Sequence, residues 1–303
     1  FYSRARLHQL TDQLELAYER SPGYLVLLRS EKDQKLAQPG LQVLRDAGVT
    51  FHQIDAAAAR TVEPALNQDT AFAGAIHLPD DEVGNCRQFA LMLRRHAEML
   101  GARFVFNTTV ATVVPGPQAA VAIAGEPSPR RFDAVVVCAG LASATLLRPL
   151  GLKIPMAAVY GYSISANIRE PLNAPRSAVM DERYKVAISR LGMRVRVAGS
   201  AEIGGRLDTK RPAALQTLYK VLHDWFPGAA QMSGGVQEWK GARPMLPDGP
   251  PIVGASGIPG IWLNLGHGSS GWALSCGSAR AVADLVGGRT PDVDLQGLGI
   301  ERL

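Results

Sequence analysis

The spacing of apolar and polar residues changes along the chain and separates blocks of different predicted structure. Helical spacing, near 3.6 residues, alternates with the two-residue spacing of strands. Four blocks result: 1–84 with mixed helices and strands, 85–150 with a long helix and a buried strand, 151–238 with short alternating strands, and 239–303 with strand, turn and helix. We predict two domains that the chain crosses more than once, 1–84 with 151–238 and 85–150 with 239–303.

Within these blocks the pattern predicts individual elements. Ala71–Leu78 is a predicted strand that ends in a polar turn, Pro79–Gly84. Arg103–Phe106 is predicted as a short strand, and Tyr184 is expected to begin the strand Tyr184–Ser189. The acidic residues of the polar turn lack the spacing of a calcium loop, so no metal site is predicted there.

The fold class follows from the contrast between buried and half-buried strands. Asp133–Cys138 is continuously apolar and is followed by Gly140, which is typical of a strand covered on both faces in an α/β sheet. The short strands of 151–238 favour an antiparallel sheet. We therefore predict α/β plus α+β, with a mixed or parallel sheet in one domain, an antiparallel sheet in the other, and a ligand at the domain interface.

Composition narrows the class of protein. Of 303 residues, 47% are hydrophobic and 19% charged, which indicates a globular chain. The net charge is 32 − 27 = +5, but the basic residues form only small groups, so a solvated basic surface is favoured over a nucleic-acid face. A mild positive field is compatible with anionic substrates or an anionic membrane surface.

Cysteine usage and the chain start add further expectations. The three cysteines form no C-x-x-C pair, which argues against a metal or disulfide framework and favours a reducing compartment. No apolar run is long enough to span a bilayer. The chain begins at Phe1 without a methionine, so we expect the natural N-terminus to lie upstream.

Candidate chemistry concentrates between Gly241 and Gly288. Arg243 stands between Gly241-Ala242 and Pro244, and proline stiffens the backbone that carries it. A planar fork on a rigid base suits a bidentate carboxylate clamp, and an ordinary surface arginine is the alternative. Tyr184 could likewise bind a carboxylate through its hydroxyl or serve as a core or edge aromatic.

The segment Gly266-x-Gly268-x-x-Gly271 follows a predicted strand and precedes a predicted helix. A dinucleotide fingerprint would need a further strand ending in an acidic residue, and the chain ends at Leu303 first. The free N–H groups of the helix start suit an anionic or electron-rich ligand edge, and a plain strand–helix connection is equally compatible. His267, inside the turn, either contacts a ligand, relays protons or faces solvent.

Taken together, these segments resemble the D-amino-acid-oxidase superfamily of FAD enzymes, most closely the bacterial D-amino-acid dehydrogenases. The resemblance spans nearly the whole chain and rests on seven segments: Leu78–Cys86, Phe106–Val110, Gly161–Ser163, Tyr184–Ile188, Gly199–Ile203, Gly241–Gly249 and Trp262–Trp272. It implies a two-domain flavoenzyme that oxidatively deaminates D-amino acids. A hydride would pass from the amino-acid Cα to flavin N5, and the imino acid would hydrolyse to a 2-oxo acid and ammonia.

The resemblance also implies roles for matching residues. Arg243 would clamp the substrate carboxylate with help from Tyr184. We add His267, from its place in the turn, to these catalytic candidates. Val110 would meet the adenine side, and Ala139 and Gly140 would pass near the pyrophosphate or ribityl chain. The flavin ring would lie against the turn residues Gly266, Gly268, Ser269, Ser270 and Gly271.

Two departures leave alternatives open. Tyr160 stands where close relatives usually carry a basic residue, and the N-terminal β-α-β unit that holds the nucleotide half of FAD is absent. Its absence would expose strand edges and apolar surface and favour self-association. The alternatives are a related enzyme for glycine, sarcosine or D-hydroxyproline, or a non-catalytic fragment or binding subunit without FAD. For the enzyme, the resemblance implies a quinone as a candidate electron acceptor and a cytoplasmic protein with peripheral contact to the inner membrane.

Overall fold

The computed structural model describes all residues, 1–303, and divides them into two compact units. Unit 1 comprises Phe1–Leu16, Ala90–Val159 and Ala242–Leu303, and unit 2 comprises Ala17–Phe89 and Tyr160–Gly241. The helices are α1 (Tyr2–Gln13), α2 (Glu31–Asp46), α3 (Ala56–Val62), α4 (Cys86–Met99), α5 (Ala142–Leu147), α6 (Pro212–Trp225) and α7 (Gly271–Val286).

The strands, numbered in chain order, are β1 (Ser21–Leu28), β2 (His52–Ile54), β3 (Gly74–Val83), β4 (Val110–Val114), β5 (Ala119–Ile123), β6 (Arg130–Phe132), β7 (Val135–Val137), β8 (Ala157–Asn167), β9 (Ala178–Asp181), β10 (Val186–Leu191), β11 (Arg194–Ile203), β12 (Gln237–Met245), β13 (Ile252–Ala255) and β14 (Ile261–Leu265).

The two units alternate along the chain, and the first 16 residues belong to unit 1. They were expected with 17–84. The reason is a close helix contact: the Gly277 N–H on α7 donates to Ser3 Oγ on α1 at 3.1 Å. A Cβ on Gly277 would lie only 2.8 Å from Ser3 Cβ, so the glycine permits this approach. The other boundaries fall three to nine residues after the predicted ones, at 89, 159 and 241.

Unit 2 is built on an eight-stranded sheet with the order β12-β8-β11-β10-β9-β1-β3-β2. The pairs β1–β3, β2–β3, β9–β10 and β10–β11 are antiparallel, and β1 and β9 run parallel. On α6, Leu218, Val221 and Trp225 recur at helical spacing and are fully buried. Each such side chain stabilises the fold by about 1.5–3 kcal/mol, so α6 accounts for much of the core of this unit.

The predicted polar turn at Pro79–Gly84 is wrong, because β3 continues through Val83. Its partner is the start of β1, where Ser21 pairs with Val83 and a bulge separates Pro22 from Tyr24. The polar residues of β3 therefore extend a strand. The sequence pattern missed this because the pairing partner lies about sixty positions away in the chain.

Unit 1 contains two three-stranded sheets, β13-β14-β7 and β4-β5-β6. In the first, β7 and β14 run parallel with Val137 opposite Leu263, and β13 pairs antiparallel with β14. Val137 and Leu263 are both buried. The prediction of a buried parallel strand within Asp133–Cys138 is therefore confirmed.

The predicted strand Arg103–Phe106 belongs to no sheet. Phe104, Val105 and Phe106 expose 43%, 57% and 62% of their surface. The rings of Phe104 and Phe106 stack with centroids 6.1 Å apart, and Arg94 lies over Phe106 at 5.3 Å. An apolar alternation becomes a strand only beside a partner, and this chain brings none to the segment.

Candidate active site

The parallel pair β7–β14 sets the position of the candidate site in unit 1. Two and three residues beyond the opposed pair Val137–Leu263 come Ala139-Gly140 on one strand and Leu265-Gly266 on the other. The carboxyl ends of neighbouring parallel strands meet at one edge of a sheet, where ligands of α/β proteins bind. The predicted ring and ribityl segments therefore come to the same edge.

The turn after β14 requires glycine at two places. Gly266 and Gly268 have φ of +77° and +54°, a region that other residues enter at a cost. A Cβ on Gly266 would lie 2.5 Å from Leu246, and one on Gly268 would lie 2.5 Å from Met245 Sδ. The turn therefore packs directly against the end of β12, with no room for a side chain at either glycine.

An antiparallel bridge between Met245 and His267 joins β12 to the same turn. Arg243 precedes Met245 by two residues on β12, so the candidate carboxylate clamp and the glycine turn are neighbours within unit 1. Arg243 is half-buried, and burial lowers the pKa of its guanidinium from its ordinary value. Because arginine stays protonated in proteins, this half-buried cation suits an anionic ligand.

The start of α7 supplies hydrogen-bond donors at this edge. A single turn of 3₁₀-helix, Gly268–Ser270, leads into α7, and the N-cap Ser270 makes no side-chain capping bond. The N–H groups of the first helical turn thus have no side-chain acceptor from the cap. Together with the positive end of the helix dipole, they favour an electron-rich ligand atom.

The imidazole of His267 is half-buried beside α7. Its Nε2 lies 3.0 Å from Ser278 Oγ, and burial lowers the pKa of the ring. His267, Ser269, Ser270 and Ser278 line a cavity of about 730 Å³ whose other walls are largely apolar. A purely solvent-facing histidine, one of the open alternatives, does not fit these contacts.

Two buried polar atoms at this edge have no hydrogen-bond partner. Ser143 Oγ belongs to α5, which begins two residues after Gly140, and Asn264 Oδ1 lies on β14 two residues before Gly266. Leaving a buried polar group unpaired costs about 1–3 kcal/mol. The sequence reasoning missed both residues, although a polar Asn264 inside an apolar strand was a usable signal.

A family model described as FAD dependent oxidoreductase, DAO, matches residues 1–285. The chain belongs to this family. The family resemblance, the FAD-enzyme prediction and the two-domain flavoenzyme fold are thereby confirmed.

Relatives and solved structures agree with the assignment. The D-amino acid dehydrogenase of Bradyrhizobium diazoefficiens is 40% identical over 303 residues, which cover 99% of this chain and 72% of the relative. That of Cereibacter sphaeroides is 42% identical over 99% of this chain and 69% of the relative. In structure, glycine oxidase from Geobacillus kaustophilus matches with a TM-score of 0.88 at 22% identity, over 99% of this chain and 81% of that chain. L-proline dehydrogenase from P. horikoshii matches with 0.84 at 16% identity, over 99% and 81%.

The residues present fit the ring edge of the family's cofactor. A flavin pyrimidine edge carries carbonyl acceptors beside an N–H donor. The uncapped start of α7 offers N–H groups to a carbonyl, and the unpartnered Oδ1 of Asn264 is an acceptor close to the same turn. The orphaned amide oxygen and the open helix start are therefore complementary to such an edge.

Val110 and Tyr184 lie elsewhere in the fold. Val110 begins β4 in the other sheet of unit 1 and pairs with Ile123, and its adenine contact stays a prediction. Tyr184 belongs to unit 2 and sits in the turn between β9 and β10, so the prediction that it begins a strand is wrong. Its N–H donates to Asp181 Oδ1 at 3.1 Å, which holds the turn, and Lys185 follows with φ of +52°.

The ring of Tyr184 is fixed by two cations. Arg29 Cζ lies 5.1 Å and Lys220 Nζ 5.3 Å from its centroid. Its part in a carboxylate clamp stays a prediction.

Tyr160, which stands where relatives usually carry a basic residue, lies beside a lysine of unit 2. Lys240 on β12 places its Nζ 4.6 Å from the ring centroid of Tyr160, so a cation adjoins Tyr160 from a neighbouring strand. The lysine side chain is buried, pairs with Glu202 at 3.0 Å, and donates to the carbonyls of Arg206 and Thr209 at 2.6 Å each.

No group of three or more His, Cys, Asp or Glu side chains could hold a metal ion, and the three cysteines are free. None of the helices is both long and apolar enough to cross a membrane.

Proposed function

We propose that this protein catalyses the oxidative deamination of D-amino acids to 2-oxo acids and ammonia, with FAD as the oxidant. Family membership and relatives near 40% identity named D-amino acid dehydrogenase support this reaction. The observation that carries it is the Met245–His267 bridge. This bridge sets the rigid Arg243–Pro244 segment beside a glycine turn and a helix start in a flavin-dependent family.

Arg243 is the proposed substrate clamp. Its two parallel N–H donors would bind the amino-acid carboxylate in a bidentate manner, and the following proline limits backbone movement. Partial burial strengthens the interaction because less water competes for the guanidinium. Such a clamp orients the Cα–H bond, which is the main contribution this reaction needs from the protein. Tyr184 is proposed to assist at the carboxylate.

The cofactor cradle is proposed from the same edge of unit 1. Gly266, Gly268, Ser269, Ser270 and Gly271, with the first N–H groups of α7, would hold the ring edge. Ala139 and Gly140 would lie along the ribityl or pyrophosphate segment, and Val110 would meet the adenine side. When bound, FAD supplies the hydride acceptor.

His267 would act in this site as a neutral imidazole. The lowered pKa keeps His267 neutral near pH 7, so its ring would accept or donate one hydrogen bond without adding a positive charge. After loss of the hydride and a proton, the imino acid adds water and releases ammonia. We assign no side-chain base to this hydrolysis.

The substrate class can be tested by anaerobic reduction of the purified full-length enzyme. D-Alanine should bleach the flavin absorbance and release one ammonia per flavin reduced, whereas L-alanine should do neither. Faster reduction by glycine, sarcosine or D-hydroxyproline would replace the proposed substrate by one of these. A colourless protein that binds no FAD would contradict the proposal altogether.

The electron acceptor is proposed to be a quinone, because the relatives are named dehydrogenases. Peripheral contact of a cytoplasmic protein with an anionic membrane would bring it to a quinone, and the net charge of +5 favours such contact. Turnover with a soluble quinone should exceed turnover with oxygen. The protein should sediment with anionic vesicles and stay in the supernatant with neutral ones. A protein that sediments with neither kind of vesicle would contradict the membrane proposal.

A further inference from the structure

Ser278, on the second turn of α7, contacts the only imidazole of the proposed site. Its Oγ lies 3.0 Å from His267 Nε2 and 3.3 Å from the carbonyl oxygen of Ser275. Both serines and His267 belong to unit 1. The contact thus joins the glycine turn to the body of the helix that follows it.

The Ser278 hydroxyl has a single hydrogen and two groups within reach, the Ser275 carbonyl and His267 Nε2. Donation to the Ser275 carbonyl leaves the Ser278 oxygen to accept from His267, which places the ring proton on Nε2 and leaves the lone pair on Nδ1. Donation to Nε2 would place the ring proton on Nδ1 and leave the carbonyl contact without a hydrogen. Only the first arrangement makes both contacts hydrogen bonds.

His267 is held at two other points through its main chain. It bridges Met245 of β12, and its carbonyl accepts from the Ser270 N–H at 3.1 Å. These bonds position the backbone of the turn but leave the ring free to rotate. The bond to Ser278 is the attachment that fixes the ring.

We propose that Ser278 is a positioning residue that holds the imidazole of His267 in the Nε2–H tautomer and secures the Gly266–Gly271 turn against α7. Its effect on catalysis rests on the proposed function, because the turn is assigned there to the flavin ring. The tautomer itself does not rest on that function. Ser278 therefore acts through His267. A substitution at Ser278 should change the tautomer and orientation of the imidazole while the fold is kept.

The direct test is nuclear magnetic resonance of the full-length protein with ¹⁵N-labelled histidine. In the wild type, we expect His267 to carry its proton on Nε2 alone, with its signal assigned by its loss in His267→Gln. Ser278→Ala should yield a mixture of tautomers. Ser275→Ala is the matched control, since it removes a neighbouring hydroxyl bonded to Trp272 but keeps the Ser275 carbonyl. A wild-type proton on Nδ1, or an unchanged tautomer in Ser278→Ala, would overturn the proposal.

Kinetics supply a second, separable readout. Ser278→Ala should slow flavin reduction by D-alanine about 5- to 10-fold, the usual worth of one hydrogen bond, with little change in KM. Ser278→Thr, which keeps the hydroxyl, should restore most of the rate, and Ser275→Ala should match the wild type. No loss of rate, or no rescue by threonine, counts against the positioning role. If D-alanine reduces the flavin of none of these proteins, the proposed function fails. The position of the ring proton in the wild-type spectrum still tests the role of Ser278 in that case. The same spectrum remains available if Ser278→Ala does not fold.

Discussion

The two units differ in how they satisfy their buried polar groups. In unit 2, the fully buried Asp181 accepts bonds from Arg29, Trp225 and Tyr184 at 2.7, 2.7 and 3.1 Å. Lys240 is likewise enclosed by an ion pair and two carbonyls. The unpartnered buried atoms of this unit are two arginine Nε atoms, whose guanidinium groups bond through other nitrogens, and Gln88 Oε1.

Unit 1 contrasts with this arrangement at one edge of its β7–β14 sheet. Ser143 Oγ and Asn264 Oδ1 lack partners close to the two carboxyl ends, and two turn glycines there have positive φ. Unsatisfied buried groups that cluster at one place mark candidate functional sites, because a fold optimised only for stability would pair them. The comparison teaches that the buried charges Asp181 and Lys240 of unit 2 are paired within that unit, whereas the site edge of unit 1 leaves polar atoms available to another molecule.

The largest expected effect tests the self-sufficiency of unit 2. Trp225→Ala should lower the free energy of unfolding by about 3–5 kcal/mol, because it opens a cavity and removes a bond to Asp181. Denaturant titration followed by circular dichroism measures this loss. Trp239→Ala is the matched control: 57% of Trp239 is exposed, so the change should stay within about 0.5 kcal/mol. Equal losses in the two variants would contradict the description of this core.

A smaller effect is expected in the glycine turn of unit 1. Gly268→Ala should lower the free energy of unfolding by about 1–3 kcal/mol and reduce the flavin content. Alanine is disfavoured at this positive φ, and its Cβ would collide with Met245 Sδ. Flavin per protein is read from the visible spectrum. Gly297→Ala shares the positive φ but places its Cβ in open space, so it should keep its flavin. Full flavin in both variants would show that the turn does not hold the cofactor.

The half-buried His267 predicts how unit 1 responds to acid. Its folded pKa lies below the ordinary value near 6.5, so the unfolded chain takes up the proton first as the pH falls. The destabilisation is absent above about pH 6.5 and is complete once the pH lies below the folded pKa. Unfolding of wild type and His267→Gln at a series of pH values should reveal this difference. Parallel curves would mean that the ring is not buried in its neutral form.

The smallest effect concerns the exposed apolar segment of unit 1. We expect Phe104 and Phe106 to mediate weak self-association, because their stacked rings remain largely accessible. Sedimentation velocity should show Phe104→Ser/Phe106→Ser to be more monomeric than the wild type. Leu172→Ser removes an apolar residue of unit 2 that is 85% exposed and should change nothing. If the double variant associates like the wild type, Phe104 and Phe106 do not mediate self-association.

The sequence pattern predicted elements whose signals are local. The run within Asp133–Cys138 and the strand, turn and helix from Ile261 onward are found as expected, because burial on both faces and glycine turns leave marks in adjacent residues. Arg243 and His267 were singled out by the same local chemistry. Their proximity was not visible, because the Met245–His267 bridge joins residues 22 positions apart.

Features that depend on distant partners escaped prediction. The extension of β3 depends on β1, and the failure of Arg103–Phe106 to form a strand depends on the absence of a neighbour in this chain. Tyr184 lies in a turn because Asp181 binds its N–H and the next residue adopts a positive φ. The unpartnered atoms of Ser143 and Asn264 and the Ser278 contact are products of tertiary packing.

The central claim is that the site edge of unit 1 binds an amino-acid carboxylate through Arg243. The most direct measurement is kcat/KM for D-alanine in the full-length enzyme and three variants. Arg243→Ala should lower it by at least about 100-fold, equivalent to the roughly 3 kcal/mol of a charged hydrogen-bond pair, and Arg243→Lys by less. Arg131→Ala, on an exposed arginine of β6, should leave it unchanged. If Arg243→Ala retains near-normal kcat/KM with its flavin bound, Arg243 is not the clamp and the account of the site is wrong.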